Sequence, residues 1–151
     1  MKKQLSKSDI KDLIKEVKDT YNYEVMFTHK AKVELVDDTF YYVNDELEWF
    51  RLEGQLLPHI RILHKHNFLK TVTVDMGAIK FVTSGADIFR PGIVAFEGDI
   101  EAGEVVAIKD ETHGKILAIG SASGTTQEME AKEGGKVIMS LHYVGDEIWS
   151  L

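Results

Sequence analysis

The chain contains no cysteine and only two prolines among its 151 residues. Without thiols it can form neither disulfides nor thiolate metal sites, and a reducing compartment is its natural location. The sequence has no run of 18 apolar residues, which argues against a transmembrane helix. Its amino-terminal segment also lacks the continuous apolar core of a secretory signal. We therefore expect a soluble, cytoplasmic protein.

Basic residues are outnumbered, and they are unevenly placed. The chain carries 25 acidic and 18 basic residues, and the region after residue 71 holds only six of the latter. Between Glu53 and Asp87, however, the only acid is Asp75. The same window contains the cations and histidines His59, Arg61, His64, Lys65, His66, Lys70 and Lys80. This basic window predicts contacts with phosphates, in a protein whose acidic remainder would repel nucleic acid elsewhere. The alternative is a basic face that is only solvated.

The N-terminal half predicts one long helix and a small antiparallel meander. Apolar residues recur at helical spacing from Ile10 to Tyr21, and Ser8 is the expected N-cap. Strands are predicted at 24–27, 32–36, 40–43 and 48–52, which are rich in β-branched and aromatic residues. A second helix is predicted to begin at Pro58, because proline suits the first helical position.

The C-terminal half predicts short strands interrupted by two helices. Asp75 is the expected cap of a helix over 76–83, and Thr125 and Glu128 form a capping-box pattern that opens another, closed by Gly134-Gly135. The predicted strands are 71–74, 93–96, 105–109, 115–119, 137–142 and 147–149. Short strands with a few helical plugs favour a closed, barrel-like sheet. A boundary near Lys70 predicts two domains, 1–70 and 71–151.

The segment from Val74 to Val94 reads VDMGAIKFVTSGADIFRPGIV. It resembles the PUA domain in its small pair Gly77-Ala78, its Gly85-Ala86 turn and its Pro91-Gly92 turn before a β-branched residue. This resemblance implies an α+β protein, in which a small α/β pre-PUA domain (1–70) precedes a C-terminal PUA pseudo-β-barrel (71–151).

Two further segments extend the resemblance over nearly the whole chain. LPHIRILHKH at 57–66 and HYVGDEIW at 142–149 are similar to the malignant-T-cell-amplified-sequence family, whose members join a pre-PUA domain to a PUA domain. The resemblance implies a role in translation, with tRNA or ribosomal RNA, the small ribosomal subunit and an initiation-factor-like protein as partners. A compact archaeal member would match this chain best.

The resemblance also implies where RNA binds: the first PUA helix, the glycine-alanine turn and the strand after Pro91-Gly92. Small residues let an RNA backbone approach the main chain, and nearby cations can pair with phosphates. The candidate RNA-binding residues are Lys70, Gly77, Ala78, Lys80, Ser84, Gly85, Ala86, Arg90, Pro91, Gly92, Ile93 and His142. The helix N-terminus could offer N–H groups to a phosphate, unless Asp75 already occupies them. A purely structural role for the two turns is the alternative.

No motif in the sequence predicts chemistry. Nucleophile elbows, phosphate loops and dinucleotide fingerprints are missing, so we expect no catalytic residues, no cofactor and no enzymatic activity. His64 and His66 point to different sides of a helix, which disfavours a metal site. Phe81 is expected in the core. Two alternative functions are an RNA-docking subunit for a separate RNA-modifying enzyme and a protein-interaction factor that does not touch RNA.

Overall fold

The computed structural model describes all 151 residues, which divide into two compact units, Met1–Ile62 and Leu63–Leu151. The N-terminal unit is a five-stranded antiparallel sheet whose strands are hydrogen-bonded in chain order. Its strands are β1 (Lys2–Gln4), β2 (Val33–Val36), β3 (Phe40–Val43), β4 (Glu46–Leu52) and β5 (Gln55–Pro58). One long helix, α1 (Lys7–Tyr21), completes this unit, and α2 (Ile60–Lys65) begins at its end.

Helix α1 follows from its amphipathic sequence. Ile10, Leu13 and Val17 lie on one side and are at most 4% exposed, which stabilises the unit by up to about 1.5–3 kcal/mol for each side chain. The helix ends at Asn22, which adopts the left-handed conformation and donates its N–H to the Lys18 carbonyl oxygen. Near the last turn, Tyr21 donates its hydroxyl to the Leu56 carbonyl oxygen and packs 5.8 Å from the Trp49 ring.

The C-terminal unit is built on a six-stranded mixed sheet in the order β7-β11-β10-β9-β6-β8. Its strands are β6 (Thr71–Val74), β7 (Ile88–Phe89), β8 (Ile93–Glu97), β9 (Val105–Asp110), β10 (Ile116–Ala122) and β11 (Lys136–Tyr143). All pairings are antiparallel except that of β6 with β9. Two short helices, α3 (Ile79–Val82) and α4 (Thr126–Glu130), accompany the sheet. No helix of the chain is both long and apolar enough to cross a membrane.

Most predicted elements are present, including the strands over 40–43 and 71–74, the Asp75 cap and the Thr125–Glu128 capping box. The N-cap of α1 is Ser6 rather than Ser8, because the Ser6 hydroxyl oxygen accepts a hydrogen bond from Asp9 N at 3.1 Å. Pro58 ends β5 instead of opening a helix. The start of α2 is held by the buried His59, whose Nδ1 accepts from Arg61 N at 2.9 Å.

Other predictions about secondary structure were wrong or incomplete, and strands β1, β5 and β7 were not predicted. Residues 24–27 and 147–149 are not strands; the second segment is a turn, in which the Asp146 carboxylate accepts from Trp149 N at 2.7 Å. Strand β1 was missed because its exposed, lysine-rich sequence is strand only through pairing with β2. Helix α4 ends at Glu130, before the Gly134-Gly135 pair that was expected to close it. The boundary at Lys70 stays a prediction.

Candidate RNA-binding surface

Asp75 brings the two predicted turns of the C-terminal unit together. Its carboxylate accepts a hydrogen bond from Ala78 N at 2.9 Å, and its own N–H donates to the Gly92 carbonyl oxygen at 2.9 Å. A Cβ atom at Gly92 would lie 3.3 Å from the Ala78 Cβ. The helical turn at Met76–Ala78 and the turn at Arg90–Gly92 are therefore packed against each other with little space between them.

A groove of about 390 Å³ lies beside these turns, and most of its lining is apolar or small. We call it the glycine-alanine groove. It is lined by Asp75, Gly77, Ala78, Phe81, Val82, Ala86, Asp87, Ile88, Phe89, Pro91 and Gly92. The structure thus collects five of the candidate RNA-binding residues, namely Gly77, Ala78, Ala86, Pro91 and Gly92, on one surface.

Two aromatic rings line this groove and face solvent. Phe81 is 58% and Phe89 is 56% exposed, so the prediction that Phe81 belongs to the core was wrong. Neighbouring α3 residues explain this, since Val82 is buried and Ile79 packs against the core, which leaves Phe81 on the outer side. The Lys80 ammonium lies 5.2 Å from the centre of the Phe81 ring. Together the two rings expose apolar surface in one groove, and an exposed apolar patch is typical of a ligand-binding surface.

The turn that contains Gly85 packs directly against the ring of Tyr143. Gly85 has φ of +88°, and a Cβ there would lie 2.7 Å from the Tyr143 ring. Next to it, the Asp87 carboxylate accepts from Ser140 N at 2.8 Å and pairs with the Lys136 ammonium at 3.3 Å. The Gly85-Ala86 turn is therefore fixed to β11 from two sides.

Arg90 is held in place by the protein itself. Its guanidinium donates to the Ile93 carbonyl oxygen at 3.1 Å and lies 5.4 Å from the centre of the Phe96 ring. Its backbone N–H donates to the Gly135 carbonyl oxygen. Lys80, by contrast, is exposed. Of the two cations predicted beside the turn, Lys80 is thus the one presented to solvent.

The N-terminus of the short helix offers fewer free donors than expected. Ala78 N donates to Asp75, and Met76 N donates to the Glu111 carboxylate at 3.3 Å. Asp75 therefore occupies the N-terminus of the helix as its cap, which is the alternative stated for it above. The carboxylates of Asp75 and Glu111 would repel a phosphate at this position.

Seven of the twelve candidate residues do not line the glycine-alanine groove: Lys80, Gly85 and Arg90, described above, and four others. Lys70 lines a separate polar cleft of about 740 Å³ and pairs with Glu104 at 3.2 Å. Ser84 is exposed and donates its hydroxyl to the Lys80 carbonyl oxygen. Ile93 is buried, with only 6% of its surface exposed. His142 is completely buried and lies 2.8 Å from the Asp146 carboxylate, so it has no surface for direct RNA contact.

Family models match both units of the chain. The PUA domain matches residues 70–144, and a domain of unknown function, DUF1947, matches residues 2–66. An uncharacterized protein of Methanocaldococcus jannaschii is 38% identical, with 97% of this chain and 93% of that protein aligned. Translation machinery-associated protein 20 of Saccharomyces cerevisiae is 35% identical over 80% of this chain and 73% of its own length. Malignant T-cell-amplified sequence 1 of Danio rerio is 39% identical over 72% of this chain and 63% of its own length.

This chain belongs to the malignant-T-cell-amplified-sequence family. The resemblance noted at 57–66, 74–94 and 142–149 is thereby confirmed, as is the α+β fold with a PUA domain. Among solved structures, a hypothetical protein from Pyrococcus horikoshii OT3 superposes with a TM-score of 0.84 at 29% identity, covering 99% of this chain and 98% of that one. A chain of an H/ACA ribonucleoprotein bound to a substrate RNA matches with a TM-score of 0.52 at 28% identity, over 64% of this chain and 29% of that one.

Proposed function

We propose that this family member is an RNA-binding protein of translation that recognises a tRNA acceptor end or small-subunit ribosomal RNA without a covalent step. The observation that carries the proposal is the glycine-alanine groove with Phe81 and Phe89 exposed along it. The PUA match and the relatives named for the translation machinery support it. Such work would place the protein in the cytoplasm, in contact with the small ribosomal subunit and an initiation-factor-like partner.

The groove suits the end of a strand better than a regular duplex. Unpaired bases have exposed faces that stack on aromatic rings, and each such contact contributes about 1–3 kcal/mol. Phe81 and Phe89 supply two rings, and the small residues Gly77, Ala78 and Gly92 leave the groove beside them open to an unpaired base. Lys80 lies next to Phe81 and supplies one exposed positive charge for a phosphate.

Binding of tRNA with and without its single-stranded acceptor tail tests this proposal. In a filter-binding titration we expect the intact tRNA to bind more tightly than the tailless one. The Phe81→Ala/Phe89→Ala variant should lose at least about thirtyfold in affinity for the intact tRNA, because two stacking contacts together contribute roughly 2–6 kcal/mol. It should bind tailless tRNA as the wild type does, because only the unpaired bases would stack.

Met26→Ala is a matched control, since Met26 is 89% exposed and belongs to the other unit. It removes an exposed apolar side chain and should leave both affinities unchanged. Equal loss of both RNAs in the double phenylalanine variant would contradict end recognition. A wild-type protein that binds neither tRNA nor isolated small subunits would overturn the proposal.

A second candidate is favoured by the match to the H/ACA ribonucleoprotein chain. In this case the protein would dock RNA for a separate RNA-modifying enzyme. Affinity purification from the native host distinguishes the two functions. If an RNA-modifying enzyme stays bound to the protein after nuclease treatment, the docking function is favoured. If small-subunit ribosomal proteins are recovered instead, the function in translation is favoured.

A further inference from the structure

The polar side of α1 has its charges sorted by sign. Lys7, Lys11, Lys15 and Lys18 follow one another at spacings of four, four and three residues. At about 100° per residue, they fall within an arc of roughly 80°. We call these four residues the lysine stripe. Its length along the helix axis is about 16 Å.

The acidic residues of α1 occupy a different strip. Asp9, Asp12, Glu16 and Asp19 fall within an arc of about 80° that does not overlap the lysine stripe. The third side contains Ile10, Leu13 and Val17 and is buried. Helix α1 therefore presents three separate surfaces, which are apolar, acidic and basic.

This arrangement is not the one that stabilises a helix best. Lys7 and Lys11 are four residues apart, as are Lys11 and Lys15, and like charges at this spacing destabilise a helix by about 0.2–0.5 kcal/mol. Lys7 is also the first residue of the helix, where the helix dipole disfavours a positive charge. A local rule broken without a local gain is typical of a functional surface.

The N-terminal part of the lysine stripe is the available part. Lys15 pairs with Asp19 at 2.6 Å, and Lys18 lies 3.7 Å from Glu24. The Asp19 carboxylate raises the pKa of Lys15 by accepting its hydrogen bond. Lys7 and Lys11 are exposed and form no ion pair in the structure. Any polyanion would therefore meet these two ammonium groups first.

The chemistry of this surface fits a nucleic-acid backbone. Lysines four residues apart are separated by about 6 Å along the axis, which gives a row of cations for a row of phosphates. An anionic membrane fits less well, because a membrane-binding helix inserts its apolar side. The apolar side of α1 is already buried within its own unit.

We propose that the lysine stripe is a second RNA-binding surface, in the N-terminal unit, which pairs with phosphates of a double-stranded region. This inference rests on the proposed function, because it assumes that RNA is the ligand. It assigns to the N-terminal unit a sequence-independent contact that is separate from the groove of the PUA domain.

The salt dependence of RNA binding tests the inference. Each phosphate contact on a double helix contributes roughly 0.9 to the slope of log K against log salt concentration. The Lys7→Gln/Lys11→Gln variant of the full chain should therefore lose about 1.8 from the slope measured with intact tRNA. Glutamine has a helix propensity close to that of lysine, and removing Lys7 relieves the helix dipole. Its melting temperature should accordingly equal or exceed that of the wild type.

Lys30→Gln/Lys132→Gln is the matched control, because both lysines are exposed and lie outside α1. It removes the same net charge and should keep the wild-type slope. An unchanged slope in the Lys7/Lys11 variant would overturn the inference alone, provided that the Phe81/Phe89 variant still loses affinity. A wild type without any RNA binding would overturn the proposed function as well. A third outcome would assign the lysine stripe to membranes instead. In that case the wild type would bind phosphatidylserine vesicles, and the Lys7/Lys11 variant would lose this binding but keep the wild-type salt slope for RNA.

Discussion

The two units of the chain treat their aromatic residues in opposite ways. In the N-terminal unit, Trp49 and Phe50 of β4 are completely buried. In the C-terminal unit, Phe81 and Phe89 are more than half exposed at the glycine-alanine groove. The N-terminal unit shows that this chain can bury large aromatic rings in a hydrophobic core. The exposed rings therefore indicate a ligand surface rather than a shortage of core.

Both units contain paired and exposed lysines, but three lysines of the C-terminal unit differ clearly from the first two of α1. In the C-terminal unit Lys70, Lys109 and Lys136 are engaged by Glu104, Glu97 and Asp87. In α1, Lys7 and Lys11 stay exposed and form no ion pair. Together with the two proposals above, this comparison predicts that Phe81 and Phe89 contact bases, whereas the exposed lysines contact phosphates, with Lys7 and Lys11 in the N-terminal unit and Lys80 beside the groove. The following predictions test the structural supports of this division, from the largest expected effect to the smallest.

Replacing Gly85 should damage the supported turn of the C-terminal unit most. In Gly85→Ala, the new Cβ would meet the Tyr143 ring at 2.7 Å, and the residue would keep a positive φ. We expect the free energy of unfolding to fall by about 3 kcal/mol, from backbone strain and overpacking together. Urea denaturation of the full chain measures this loss.

Gly103→Ala separates the two causes. Gly103 has a similar φ of +82°, but no atom lies within 4 Å of its Cβ position. It should lose only the backbone part, about 1–2 kcal/mol. Equal losses in the two variants would mean that Tyr143 does not support the turn.

In the N-terminal unit, the pairing of Glu16 with Arg51 is the main charged contact between α1 and the sheet. Arg51 donates from Nη1 and Nη2 to the two Glu16 oxygens, each at 2.7 Å, and from Nε to the Tyr41 hydroxyl oxygen at 3.1 Å. Because both side chains are partly exposed to solvent, we expect Glu16→Gln to cost only about 0.5–1 kcal/mol at neutral pH.

The pH dependence of this loss follows from the pKa of Glu16. The hydrogen bonds from Arg51 hold that pKa below its ordinary value of 4.5. A lowered pKa means that the contribution is complete above pH 4.5 and is lost as the pH falls through the folded-state pKa. The stabilities of wild type and Glu16→Gln should therefore converge in acid. A difference that persists at pH 2 would show that the variant acts by another route.

The smallest effect is expected for Lys80, the exposed cation beside the groove. Lys80→Gln removes one phosphate contact, so the slope of log K against log salt should fall by about 0.7–0.9, with only a severalfold loss of affinity. The phenylalanine double variant should show the opposite pattern, with a large loss and an unchanged slope. If both variants changed the slope, the division between base and phosphate contacts would be lost.

Sequence reasoning succeeded where a local pattern decides the structure. The Asp75 cap, the Thr125–Glu128 capping box and the turn at Gly85-Ala86 each depend on residues close together in the chain. The resemblance at 74–94 also indicated five residues that line the groove. It could not reveal that Phe81 is exposed, because a four-residue helix gives no reliable periodicity.

Contacts between residues far apart in the chain decided several features that the local patterns did not reveal. His142 looked like a surface residue near the end of the chain, but it lies in β11 opposite Ile119 of β10 and is completely buried. Lys70 looked available in the basic window, but Glu104, 34 positions later, pairs with it. Strand β1 exists only because residues 34–36 pair with it.

Local sequence patterns were enough to predict the family, the α+β class, two helix caps, at Asp75 and Thr125, and the amphipathic pattern of α1, because each depends on local spacing or on motifs within short segments. The tertiary structure decided which of the candidate residues reach solvent together. It closed the groove between turns that are fifteen residues apart in the chain, Gly77 and Gly92, and turned Phe81 outward beside it. It also engaged Arg90, Lys70 and His142 in internal contacts. Burial and ion pairing depend on what the rest of the chain packs against each residue, and no local pattern contains that information.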